Sequence, residues 1–256
     1  MAKAASKKGK RLTRKESMAI FEREERVGFE AFGPKPAPRK KAAPPLEAKT
    51  ETQGHFIAQI ASKDLVFTKG PAGTGKTYVA VSMAIEALME KKVEKLVFTR
   101  PMVGCDEEEW ILPGEEDEKF APWAGPMMDV IEERAGAGFA KYLIKSKVIE
   151  FKPMMSMRGS SFRDAWVMMD EAQNSTPEQM KMFLTRLGEG SKMVISGDVR
   201  QSDLKDGRGV MQENGLDDAL ARLRGEPEIG FVRFSIDDCV RHGLVKKILK
   251  RYETDS

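Results

Sequence analysis

The chain of 256 residues is long enough for one large α/β domain with appendages, and its formal charge of +3 is unevenly spread. Residues 1–50 hold 14 Lys/Arg against 6 Asp/Glu, while the rest of the chain holds 29 against 34, so a basic arm precedes a mildly acidic body. Two cysteines exclude a disulfide framework, and no apolar run approaches the ~18 residues of a membrane span. The basic N-terminus has no apolar stretch of the kind a secretory signal needs, so a cytoplasmic location is expected.

Residues 1–15 are rich in Lys, Ala and Ser and read as disordered. Residues 16–32 can form a helix, with Met18, Phe21, Val27, Phe29 and Phe32 set among Glu and Arg. Residues 33–45 carry five prolines interleaved with Lys35, Arg39, Lys40 and Lys41, which makes a proline-stiffened linker. The arm is either an electrostatic hold on a polyanion such as nucleic acid or a solubilising tail; aromatics that would stack bases are sparse in it.

From about residue 51 onward, short apolar runs alternate with helical stretches, the pattern of a parallel sheet with crossover helices. Gln53 falls in the stretch 51–60, where several nucleic-acid motors read adenine through a glutamine amide. The alternative for Gln53 is a solvent-facing helix position. Residues 65–68 form a short β-rich run, and 78–89 a helix with Val79, Met83, Ala84, Ala87 and Leu88 at helical spacing. Between them stands Gly70-Pro71-Ala72-Gly73-Thr74-Gly75-Lys76-Thr77, which fits the phosphate-binding pattern G-x-x-x-x-G-K-[ST] in the strand–loop–helix context that it requires. Glycines let several backbone N–H groups face one anion, and the helix that follows adds the positive end of its dipole. Lys76 can reach the β- and γ-phosphates of ATP, and the Thr77 hydroxyl can hold Mg²⁺.

Further strands are expected at 95–99, 147–151, 165–169, 192–196 and 230–234, with helices at 76–90, 125–145, 177–188, 216–224 and 236–253. The run 165–169 is apolar throughout, as in a strand buried on both faces, and ends in Asp170-Glu171-Ala172-Gln173. An apolar strand delivering two carboxylates fits a Walker B element: Asp170 to hold Mg²⁺, Glu171 to orient and polarise the attacking water. The alternative is that both acids cap the next helix. The run 192–196 leads into Ser196-Gly197-Asp198-Val199-Arg200-Gln201, at the sheet edge where nucleotides bind. Gln201 can sense the γ-phosphate there, and Asp198 can tie this loop to the acidic pair. Met154, Met155, Met157, Met168 and Met169 read as core filling. Trp110 and Trp123 either stack bases or pack, and His55 and His242 are too isolated for a metal site.

Three motifs thus stand in order: GPAGTGKT at 70–77, DEAQN at 170–174 and SGDVRQSDL at 196–204. With TRP at 99–101, LPG at 112–114, MRG at 157–159 and VRHGLV at 240–245, the chain from about Thr52 to Tyr252 resembles the PhoH-like ATPases. These are phosphate-starvation-inducible proteins that many bacteriophages also carry. The resemblance implies a P-loop NTPase fold like the first motor domain of superfamily-one helicases, and Mg²⁺-dependent ATP hydrolysis linked to RNA or other single-stranded nucleic acid. Two departures stand out. Asp106 to Glu109 make the segment before LPG acidic, which opposes nucleic acid there. Beyond the matched region the chain offers only its basic arm, with no nuclease or RNA-binding module.

A single motor domain usually lacks an arginine finger of its own, and such a finger is worth ~10³–10⁵ in rate. Arg241 is the first candidate to act in trans, followed by Arg158 and Arg100; each can equally be a surface or ion-pairing arginine. A finger acting in trans requires a homo-oligomer, for which a closed ring such as a hexamer is the natural form. Three functions are thus weighed: a nucleic-acid-coupled ATPase, an ATP-dependent switch or scaffold acting on a protein partner, and, more distantly, a small-molecule kinase.

Overall fold

The computed structural model describes residues 43–101, 116–159, 161–205 and 209–253. The expected helix at 16–32, the rest of the arm before residue 43, and the acidic segment with Cys105, Trp110 and LPG lie outside the described residues. In chain order the elements are α1 (Glu51–Ser62), β1 (Leu65–Lys69), α2 (Lys76–Met89), β2 (Lys95–Thr99), α3 (Glu116–Ala135), α4 (Ala137–Lys145), β3 (Ile149–Phe151), β4 (Ala165–Met169), α5 (Pro177–Leu184), β5 (Lys192–Gly197), α6 (Gly215–Arg222), β6 (Ile229–Arg233) and α7 (Gly243–Glu253).

The six strands form one sheet in the order β3-β2-β4-β5-β1-β6, and every described pairing is parallel. Alternate residues along each strand enter opposite layers. Val66, Leu96, Phe98, Trp166, Met168 and Val194 pack towards α1, α2, α3 and α4 on one face. Phe67, Val97, Val167, Met169, Met193 and Ile195 pack towards α5 and α6 on the other. That is why β4 reads as an unbroken apolar run: all five of its residues are buried. The fold is therefore an α/β sandwich of three layers, the parallel P-loop sheet flanked by helices that the sequence predicts.

Helix starts follow local chemistry. Thr50 caps α1 by accepting from the Gln53 N–H, and α5 opens with a full capping box of Thr176 and Gln179 followed by Pro177. Three expected helices differ in extent. The helix expected at 125–145 is two, α3 and α4, separated at Gly136, whose φ of 86° breaks the ladder. The helix expected at 177–188 stops at Leu184, and the chain then bridges Leu187 to Phe162. The helix expected at 236–253 is a 3₁₀ turn (Ile236–Asp238), a non-helical link and then α7. Ahead of α1 the chain already packs on the body: Leu46 lies against the core, and Arg134 donates to the Pro44 carbonyl at 2.6 Å. No helix among the described residues is long and apolar enough to cross a membrane.

Candidate functional site

The glycine loop leaves β1 at the C-terminal edge of the sheet, with β5 on one side of that strand and β6 on the other. Its shape needs residues without a Cβ. Gly70 has a φ of 146°, and a Cβ there would lie 2.5 Å from the Phe234 carbonyl oxygen. Gly75, at φ 85°, is the N-cap of α2, and a Cβ on it would lie 2.6 Å from the Gln53 amide nitrogen. Gln53 is buried at 4 % exposure rather than solvent-facing. Its side-chain N–H donates to the Thr74 carbonyl at 2.9 Å, and its Oε1 accepts the Lys49 N–H at 2.8 Å. The Thr74 hydroxyl closes the turn onto the Pro71 carbonyl at 3.0 Å.

Lys76, also buried, donates from Nζ to the carbonyls of Gly70 at 2.6 Å and Pro71 at 2.9 Å. Burial draws its pKa down, and the carboxylates of Asp170, Asp198 and Glu171 act against that shift, so four charged groups share one crevice. The Thr77 hydroxyl donates to Asp170 Oδ2 at 3.0 Å. Burial and the adjoining Glu171 push the Asp170 carboxyl up; the Thr77 hydroxyl and Lys76 pull it down. Two oxygen ligands from Thr77 and Asp170 suit a Mg²⁺ that completes its shell with phosphate oxygens and water. The hydroxyls of Thr68, Thr99 and Ser196, towards the C-terminal ends of β1, β2 and β5, are buried with no hydrogen-bond partner in the structure. The residues present therefore fit a nucleotide phosphate chain with its metal.

β4 delivers Asp170, whose N–H donates to the Thr99 carbonyl of β2 at 3.0 Å. Glu171 follows in the left-handed backbone region, at φ 53° and ψ 39°, which costs a non-glycine residue about 1–2 kcal/mol. This turn re-aims the chain so that Glu171 heads the short Ala172–Asn174 turn without capping it by its side chain. Arg100, one of the three finger candidates, lies with its guanidinium 4.0 Å from the Glu171 carboxylate of the same chain. Arg158 sits exposed after the Met154–Met157 turn. Trp123 packs edge-on against Phe151 at 5.8 Å.

Gln173 carries a role that the sequence reading missed. It is 1 % exposed, and its amide nitrogen donates to Glu171 Oε2 at 2.7 Å and to the Gln201 carbonyl at 3.4 Å. Its Oε1 accepts the Asp198 N–H at 2.9 Å. The Ser202 hydroxyl donates to the Gln173 carbonyl, and Asn174 Oδ1 accepts the Asp203 N–H. The acidic pair and the loop after β5 are thus one hydrogen-bonded unit. Asp198 joins it through its backbone N–H and caps the Val199–Gln201 turn with its side chain. Gln201 stands exposed at the end of that turn. The signal available in sequence was a polar residue two places beyond Glu171.

Arg241 is the remaining candidate. Its Cδ and Nε would lie 2.8 and 2.9 Å from a Cβ on Gly73, so its side chain rests on the glycine loop of its own chain.

Comparison with known proteins shows the family to which the chain belongs. Residues 45–253 match the family model described as PhoH-like protein. Protein PhoH of Escherichia coli K12 is 41% identical over 258 residues, covering 97% of this chain and 71% of its own length. The PhoH-like protein of Bacillus subtilis 168 is 45% identical over 208 residues, covering 81% of this chain and 64% of its own. The chain thus spans less than two thirds of the Bacillus relative. Among solved structures, the large terminase of a thermophilic bacteriophage in complex with ADP is similar at a TM-score of 0.46 and 11% identity. That likeness covers 78% of this chain and 49% of the terminase.

Proposed function

The chain belongs to the PhoH-like protein family, and from that premise we propose that it binds ATP with Mg²⁺ and hydrolyses the γ-phosphate in a cycle coupled to single-stranded nucleic acid, RNA foremost. The observation that carries this reading is the meeting of Thr77 with Asp170 at 3.0 Å beside Lys76 and Glu171. It unites the two halves of a phosphoryl-transfer site from positions 93 residues apart.

In this reading the backbone of residues 70–77 cradles the phosphates, and the Lys76 ammonium exchanges the carbonyls of Gly70 and Pro71 for phosphate oxygens. Thr77 and Asp170 hold Mg²⁺, which when bound polarises those oxygens. Glu171 orients and polarises a water in line with the γ-phosphorus. The water oxygen bonds to phosphorus, the bond to the β-phosphate oxygen breaks, and ADP leaves with the bonding pair. The proton of the water passes through Glu171 to the released phosphate. Gln201 reports the γ-phosphate to the loop after β5, and Gln53 keeps an Oε1 lone pair for the adenine edge.

Residues 1–50 act as a basic arm that contacts the nucleic-acid backbone, ahead of an ATPase domain at 51–256, in a cytoplasmic protein. Copies associate into a homo-oligomer. The exposed stripe of Leu244, Ile248 and Tyr252 along one face of α7 supports association.

The test is steady-state ATP hydrolysis with Mg²⁺, with and without single-stranded RNA, beside Glu171→Gln. Stimulation by RNA that the variant abolishes is expected. Turnover indifferent to RNA and DNA favours the second reading, an ATP-dependent switch on a protein partner, which the acidic residues Asp106 to Glu109 support.

A further inference from the structure

The segment that follows β6 folds back over the glycine loop of its own chain. The Phe234 N–H donates to the Lys69 carbonyl at 2.8 Å, and the Phe234 ring meets Phe56 edge-on at 5.7 Å. Ser235 and Asp238 form a reciprocal capping box around the Ile236–Asp238 turn, and Phe56, which Phe234 meets, belongs to α1. The segment is therefore tied both to the end of β6 and to α1, which carries Gln53. Two residues on, the Val240 N–H donates to the Gly73 carbonyl at 3.0 Å.

That bond sets Arg241 down on the loop. Its Cγ, Cδ and Nε fall 3.0, 2.8 and 2.9 Å from where a Cβ on Gly73 would stand. Gly73 occupies one of the freely variable places of G-x-x-x-x-G-K-T, so the motif itself does not demand a glycine there. Here the glycine leaves room for the exposed arginine stem. A side chain at 73 would displace it, and the φ of +79° disfavours any other residue as well. Nε belongs to the guanidinium, so the positive group is carried at the edge of the phosphate-binding loop. With the stem laid on Gly73, Nε stands over the loop of its own chain.

We infer that Arg241 acts in cis, presenting its guanidinium to the phosphates of the nucleotide held by its own loop, rather than as a finger inserted into a neighbour. It supplies positive charge to the transferring phosphoryl group. The inference rests on the ATPase reading above, but it has a readout that does not need hydrolysis.

That readout is equilibrium binding of a fluorescent, non-hydrolysable ATP analogue at dilutions where the protein is monomeric. Arg241→Ala is expected to weaken binding about tenfold or more, the loss of a charge-assisted contact. Unchanged affinity there overturns the inference, whether or not the protein hydrolyses ATP. Turnover gives the second arm. Arg241→Ala and Lys76→Ala chains are co-expressed with different tags and purified through both, so that every assembly holds the two variants. Acting in cis, neither protomer has a complete site, and the mixture stays as inactive as its parts, ~10³-fold below wild type. Recovery of turnover in the mixture shows Arg241 crossing to the neighbour and overturns the inference. Failure to obtain any doubly tagged assembly from a protein whose wild type turns over ATP supports it, since no neighbour is then available. Arg241→Lys, which keeps the stem on Gly73, controls for folding by its melting temperature.

Discussion

The two flanks of the crevice are built by opposite means. On the P-loop flank the shape is set by what is missing: Gly70, Gly73 and Gly75 admit Phe234, Arg241 and Gln53 to distances that any side chain would forbid. On the acidic flank the shape is set by what is added, since buried Gln173 binds Glu171, Asp198 and the Gln201 carbonyl at once. A loop held by close packing is rigid but intolerant. A loop held by an amide with several partners couples the acid to the segment after β5, so a change on one side is felt on the other.

The sharpest way to break the first flank is Gly70→Ala. The new Cβ meets the backbone of Phe234, which cannot yield as a flexible side chain would. Overpacking alone costs about 1–3 kcal/mol of stability, and displacement of the loop should lower ATP affinity and turnover roughly 10²-fold. Calorimetric titration with ATP and a thermal melt check both.

Gln173→Ala tests the second flank. Freed Glu171 should lower turnover ~10–100-fold, as loss of an orienting partner does at comparable sites, while ATP affinity changes little. The Asp198 N–H left without its acceptor should cost about 1–3 kcal/mol of stability. Equal loss of affinity and turnover would erase the contrast between the flanks.

Gln53→Ala comes next. It removes the prop beneath Thr74 and should weaken ATP about tenfold at a stability cost of about 1 kcal/mol. Competition between ATP and GTP sharpens the point: a pure prop leaves the preference between bases unchanged, whereas a base reader loses it.

The smallest effect is expected from Thr176→Ala, which breaks the capping box of α5 on neither flank. It should cost about 1 kcal/mol and leave turnover as it was, by melt and steady-state rate.

The same contrast explains what could be read from the chain. The strands were legible because burial on both faces forces unbroken apolar runs, as in 165–169. The glycine loop was legible because all its determinants are local in sequence. The amide network was not, because the partners it joins across the two loops stand 25 to 29 residues apart and meet only where β4 and β5 pair. The seat of Arg241 escaped for the same reason. Residues 236–253 look like one helix until the Ser235 box and the Val240–Gly73 bond interrupt them, and neither leaves a periodic mark. Residues 125–145 likewise hid a break that one glycine, Gly136, supplies.

The left-handed backbone of Glu171 has a consequence for how such a chain can change. The residue that reads as the chemical heart of the site is also one that the fold would rather not have there. Replacement by glycine, which adopts that conformation freely, should raise the melting temperature while ending turnover. A search guided by thermostability alone would therefore move towards inactive sequences at this position, and selection for activity must continually hold the chain below its attainable stability.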